Sequence, residues 1–213
     1  MEPSILHADD ALIVAEKPAG LLAVPGRGPD KQDCLSARIQ KQFPDALIVH
    51  RLDMDTSGLI CFARGAESQR RLNRSFEERM VGKRYCARVL GRLPGDPSDE
   101  WQQIDLPLSV DWLNRPKSKV DHEHGRPSRT RWRVSGYDEA SDTTRVELAP
   151  VTGRSHQLRV HMAALGHPIV GDLLYAPPAP LEPAPRMCLH AMALALLHPA
   201  DGRPVEFFSP PPF

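Results

Sequence analysis

The chain has 213 residues, 41% of them hydrophobic, enough to bury a substantial core in one domain or at most two small ones. Lys and Arg number 27 and Asp and Glu number 27, so bulk positive charge does not hold this protein to nucleic acid or to a membrane. No apolar run approaches the ~18 residues of a transmembrane helix, the start MEPSILHADD lacks the basic stretch of a signal peptide, and the scattered Cys34, Cys61, Cys86 and Cys188 make neither a disulfide framework nor a zinc knuckle, which points to a reducing cytoplasm.

In chain order, residues 11–15 read as a strand leading into the turn Lys17-Pro18-Ala19-Gly20. Residues 34–43 carry Leu35, Ile39 and Phe43 at helical spacing, with Asp33 as a candidate N-cap and Pro44 as the stop. Residues 59–63 form a compact apolar run after Gly58, the pattern of a buried strand. An amphipathic helix is expected over 67–80, apolar at Leu72, Phe76 and Met80 and arginine-rich elsewhere. Strands follow at 83–90, where Tyr85, Ala87 and Val89 alternate with Arg84, Cys86 and Arg88, and at 129–134 and 144–148. Residues 155–165 read as a helix closed by Gly166, and 190–197 as an apolar element that is either strand or short helix. Of the 22 prolines, five fall in 176–185 and three in 210–212, marking a surface loop and a stiff tail. With no internal repeat, no composition break and no regular βαβ alternation, the expectation is a single α+β domain over 1–213, with a mixed, largely antiparallel central sheet flanked by helices and loops.

The neutral total hides opposed blocks. Residues 64–92 carry a net +6 and 113–133 a net +5, separated by a net −5 over 93–112, with a net −3 on either side of them. A single charge run is usually a solvated face, but two basic blocks suit local contact with phosphates.

Two polar clusters stand out. In His50-Arg51-Leu52-Asp53-Met54-Asp55-Thr56-Ser57-Gly58, acids, an arginine and hydroxyls sit against a glycine turn, an arrangement that also serves as a plain strand-entry turn. Asp53-Met54-Asp55-Thr56 fits the D-x-D-x-T loop of phosphoaspartate phosphatases. Its context does not, because His50 and Arg51 replace the apolar strand expected upstream and no downstream acidic pair supplies a metal site. In the second cluster, Thr152-Gly153-Arg154-Ser155-His156-Gln157-Leu158-Arg159-Val160-His161, the two histidines are five residues apart, ~140° from a shared helical face, which rules out a metal pair. Arg154, beside a glycine at a helix start, is placed to pair with a carboxylate or phosphate.

The order of these motifs resembles the RluA-type pseudouridine synthases. Glu16-Lys17-Pro18-Ala19-Gly20-Leu21 resembles the family's NKPxGL opening, with Glu16 where asparagine is usual; His50 to Gly58 resembles HRLDxxTSG. Lys83-Arg84-Tyr85 resembles the K-x-Y strand, Thr152 to His161 the TGRxHQxRxH motif, and Leu189-His190-Ala191 the LHA motif. Residues 22–27 and 111–117 are similar to the dual-specificity branch, which modifies a loop uridine in 23S ribosomal RNA and one in a tRNA anticodon stem-loop.

The resemblance implies the pseudouridine synthase fold without the S4-type domain of some relatives, and an isomerisation that gains no atom and needs no cofactor and no metal. It implies Asp53 as the essential carboxylate, Tyr85 stacking on the uracil, and Arg154 pairing with Asp53. Arg51 would fill the space left by the flipped base, with His50, Lys83, Arg115, Lys117 and Lys119 among the RNA contacts. The partner implied is stem-loop RNA, not a membrane, and the protein is expected to be a cytoplasmic monomer. The rival reading from another class is an RNA-binding or remodelling protein on the same fold without turnover.

Overall fold

The computed structural model describes residues 2–95, 100–177 and 184–213. Part of the acidic block at 93–112 and most of the proline-rich stretch at 176–185 thus lie outside the described residues. In chain order the elements are β1 (Ser4–Ala8), β2 (Leu12–Lys17), α1 (Leu35–Gln42), β3 (Ala46–Ile48), β4 (Ser57–Arg64), α2 (Gly65–Glu77), β5 (Gly82–Leu90), β6 (Gln102–Asp105), β7 (Leu108–Val110), β8 (Ser118–Val120), β9 (Arg129–Asp138), β10 (Thr143–Pro150), α3 (Gln157–Ala164), β11 (Leu189–Leu197) and β12 (Pro204–Phe208). The class is α+β, and among the described residues no helix is long and apolar enough to cross a membrane.

The chain forms two compact units, one from residues 1–83 and 190–212, the other from 84–189 with Phe213, and passes between them inside β5 and inside β11. In the first, the strand order is β1-β2-β4-β11, with β3 pairing β4 and β12 pairing β11. Every pair is antiparallel except β4 with β11, where His190 lies beside Ser57 and Ala191 beside Gly58. Strand β4 is buried on both faces, which is why its sequence reads as an unbroken apolar run. Leu72 of α2 covers the face that carries Leu59 and Cys61, together with Leu12 and Val14 of β2 and Leu194 and Leu196 of β11.

In the second unit β5, β10, β9 and β6 form antiparallel ladders in that order, and β7 and β8 form a separate hairpin. Their core gathers Ala87, Val89, Ile104, Trp132, Val146 and Leu148 under Leu158 and Met162 of α3.

Helix ends differ from the sequence expectation for definable reasons. At α1 the N-cap is Cys34 rather than Asp33, without a side-chain cap. The first free N–H groups, of Leu35 and Ser36, are taken instead by the carbonyls of Leu22 and Ala23, and Asp33 pairs with Arg38 at 2.6 Å. Helix α2 stops at Glu77, three residues short of the expected end. Arg79 adopts φ 59°, and the N–H groups of Met80 and Arg79 return to the carbonyls of Ser75 and Phe76, a Schellman motif built on arginine instead of the usual glycine. Met80 is therefore outside the helix and exposed. Helix α3 closes with the same pair of bonds around Gly166, where the glycine had marked the stop. Residues 190–197 resolve as strand β11.

The arginine-rich face of α2 spends part of its charge locally. Glu67 pairs with Arg70 and Arg71, and Glu78 with Arg74, in exposed contacts that solvent screens and that add little to stability.

Candidate active site

Asp53 sits half-buried on the loop that feeds β4. The loop is fastened through its main chain. The Asp53 carbonyl accepts the Thr56 N–H at 3.2 Å, and the Met54 carbonyl accepts the Gly20 N–H at 2.9 Å. Lys17, fully buried, donates its ammonium to the carbonyls of Met54 (2.7 Å), Pro18 (2.8 Å) and Leu21 (2.6 Å). A buried ammonium needs such acceptors to offset its desolvation, and here they lock the Lys17-Pro18 turn to the Asp53 loop.

Just past the loop, a relay of side chains joins β4 through β11 and the residue after β12 to β2. Ser209 Oγ donates to Glu16 Oε1 at 2.9 Å and so accepts from His190 Nε2 at 3.1 Å, which leaves His190 Nδ1 to accept the Ser57 hydroxyl at 2.9 Å. The unusual Glu16 thus has a defined partner. Gly58 follows with φ 108°, its backbone pressed against that of Ala191.

Of the expected RNA contacts in this unit, Arg51 is exposed and, among the described residues, pairs with no carboxylate. His50 has packing neighbours: its ring stacks on Phe76 at 4.7 Å, and its Nε2 accepts the Cys61 N–H at 3.0 Å. The neutral ring therefore carries its proton on Nδ1, and burial, with Lys83 nearby, pushes its pKa down to about 3. That makes His50 a wedge between β4 and α2. Lys83 is half-buried and its pKa is lowered by burial.

Protonating His50 breaks the bond to Cys61, so the unfolded chain binds its proton more readily than the folded one. Stability from this group is fully present above the unfolded pKa near 6.5 and is lost as pH falls toward 3. Urea unfolding should give a stability about 2 kcal/mol lower at pH 5 than at pH 7 from this histidine, with buried His161 adding in the same direction. A His50→Asn variant should lose most of that slope, and an equal slope in both proteins would refute the assignment.

In the second unit, Tyr85 on β5 pairs with Leu148 of β10 and packs against the core. Arg154 lies on the turn before α3, and its buried Nε has no hydrogen-bond partner among the described residues. Gln157 shapes that turn. Its Oε1 accepts from the Thr152 hydroxyl (2.7 Å) and the Arg154 N–H (3.1 Å), while its Nε2 donates to the Arg129 carbonyl and Thr130 Oγ1. Thr130 Oγ1 in turn donates to Nδ1 of His161, whose Nε2 donates to the Leu106 carbonyl. His161 is thus a buried structural histidine. Arg159 and Asp172 form a buried two-bond ion pair, both contacts 2.7 Å.

Tyr175, passed over in the sequence, joins two distant segments. Its hydroxyl accepts the Ser118 N–H at 2.7 Å and shares a hydrogen bond with His156 Nδ1 at 2.8 Å, tying the β7–β8 hairpin to the Arg154 turn. That hairpin carries Arg115, Lys117 and Lys119, and Arg115 stacks on Trp112.

Among the described residues one group has donors close enough to share a metal ion: His7, Asp9 and His198. Asp9 Oδ2 is 2.8 Å from a nitrogen of each histidine, the spacing of hydrogen bonds, and Oδ1 accepts the N–H groups of Ala11 and Leu12. The group adjoins the Leu12 end of β2, opposite the Lys17 end that holds the Asp53 loop.

The family described as RNA pseudouridylate synthase matches residues 11–164. The chain is 50% identical over 209 residues to the dual-specificity RNA pseudouridine synthase RluA of Escherichia coli K12, covering 98% of this chain and 93% of that one. It is 46% identical over the same coverage to the protein of that name from Pasteurella multocida. Among solved structures, Human RNA Pseudouridylate Synthase Domain Containing 1 matches with a TM-score of 0.80 at 31% identity, over 100% of this chain and 84% of that one.

Proposed function

This chain belongs to the RNA pseudouridylate synthase family and isomerises uridine in RNA, and from that premise we propose that Asp53, Tyr85 and Arg154 carry the reaction. Pseudouridine forms when the C1′–N1 bond breaks, the base turns, and C5 joins C1′. The overall change is an isomerisation, so one ionised carboxylate near the sugar meets its main chemical demand.

Asp53 supplies that carboxylate. It either adds to C1′ as a nucleophile or removes the C2′ proton to give a glycal. Tyr85 stacks on the uracil and keeps the detached base beside the sugar; Arg154 holds Asp53 ionised and oriented. The observation that carries this reading is the Asp53 loop itself, bolted down by Lys17 and Gly20 in a chain of this family. The unpartnered Nε of Arg154 supports an anionic partner for that side chain. Because a stacked base is out of reach, the uridine is flipped out, and exposed Arg51 takes its place.

Both a 23S ribosomal RNA hairpin and a tRNA anticodon stem-loop are proposed as substrates, on the branch-type sequences at 22–27 and 111–117, for a protein acting as a cytoplasmic monomer. Incubating the purified protein with uridine-labelled tRNA and 23S fragments tests this. Pseudouridine is expected in both without added metal, and an RNA that yields none drops out of the reading. For the Asp53–Arg154 pairing, Arg154→Ala should slow single-turnover conversion roughly 100-fold or more, and adding Arg154→Ala to Asp53→Asn should cost nothing further; additive losses would overturn it.

A further inference from the structure

We propose that Trp112 and Leu113, at the tip of the β7–β8 hairpin, form a stacking wedge for an unpaired nucleobase of the RNA substrate. The proposal deepens the reading of the protein as an RNA isomerase and rests on it.

Leu113 is 96% exposed and Trp112 71%, on neighbouring positions, although leaving large apolar groups in water gains nothing for folding. The tip is held rigidly. The Asp111 N–H donates to the Lys117 carbonyl at 2.9 Å and the Lys117 N–H to the Asn114 carbonyl at 3.0 Å. Asn114 Nδ2 donates to Asp111 Oδ2 at 2.8 Å, so the residues between are presented on a closed turn. The Arg115 guanidinium lies 3.4 Å from the centroid of the Trp112 ring, covering one face of the indole. With the residue still 71% exposed, the other face of the ring is open.

The charges around this open face select the ligand. Among the described residues Arg115, Lys117 and Lys119 form no ion pair, unlike the arginines of α2, and Lys119 acts on the nearby Asp111 only at longer range. A π-face, an apolar wedge and three cations within a single hairpin match a base with its flanking phosphates. Stacking tolerates any base and suits a loop nucleotide, whose face is not buried in a helix. The grip is also connected to chemistry within this unit, because Ser118, at the start of β8, is bonded through Tyr175 to His156 on the Arg154 turn.

The test measures equilibrium binding and steady-state conversion of a fluorescein-labelled tRNA anticodon stem-loop by the full chain. Trp112→Ala should raise Kd roughly tenfold, with the loss falling on KM more than on kcat, and Trp112→Phe should recover part of it. Phe208→Ala, which removes an equally conspicuous exposed aromatic on β12, should leave Kd unchanged. Replacing loop nucleotides one at a time by abasic sites should identify one position whose loss weakens wild type but not Trp112→Ala. If Trp112→Ala binds as tightly as wild type, or no abasic position couples to it, the wedge is wrong. If instead wild type binds the stem-loop yet makes no pseudouridine in any RNA, the isomerase reading fails, and the binding arm still decides the wedge.

Discussion

Asp53→Asn is expected to abolish pseudouridine formation, by roughly 1,000-fold or more, with stem-loop affinity kept or slightly raised. The amide matches the carboxylate in shape but can neither add to C1′ nor accept the C2′ proton. The fold around it should survive, because the N–H groups of Gly20 and Thr56 and the Lys17 ammonium fasten the loop through its carbonyls. Removing one negative charge beside RNA phosphates does not weaken binding. Quantifying labelled pseudouridine in tRNA after long incubation checks this, with Kd measured on the same preparation. Product at the wild-type rate would remove Asp53 from the chemistry and favour an RNA-binding role for its loop.

The largest structural effect is expected at the residue that ends the same motif. Gly58 has φ 108°, a conformation that side chains rarely adopt, and a Cβ there would lie 2.3 Å from the carbonyl oxygen of Ala191 and 2.6 Å from its nitrogen. Neither strain can relax by moving a side chain, since both contacts are backbone on the parallel strand β11. Gly58→Ala should therefore cost about 3 kcal/mol or more in urea unfolding, or prevent accumulation of folded protein. Separating β4 from β11 would also break the Ser57–His190 bond immediately after the Asp53 loop. Gly136→Ala on β9 is the control, with no atom within 4 Å of its added Cβ and an expected change within about 0.5 kcal/mol. Equal stability of the two variants would refute the close-approach argument.

How much of this was legible beforehand depends on how local the signal is. The central strands β4, β5 and β10 were readable because each buries apolar side chains at regular spacing. The edge strands β1 and β12 and the short β6, β7 and β8 were not. Each is five residues or fewer, too short for a periodic signal, and they are strands because a longer partner or a hairpin mate supplies their hydrogen bonds. Helix α2 ends before its apolar periodicity does because its stop is an arginine in a left-handed conformation, which has no compositional mark. Helix α3 was closed correctly because its stop is Gly166.

The amino-acid sequence by itself determined the class of fold, the family, and the reaction, since these rest on residue types at short, ordered spacings such as His50 to Gly58 and Thr152 to His161. Only the tertiary structure decided which motif residues support and which are displayed. His50 and Arg51 are adjacent, yet His50 is stacked on Phe76 and bonded to Cys61 while Arg51 is exposed. Lys17 reaches Met54 across 37 residues, and Tyr175 reaches Ser118 across 57. Such partners are chosen by which backbone groups are left unpaired and buried when the strands come together, a property of the packed chain that no local pattern of residues encodes.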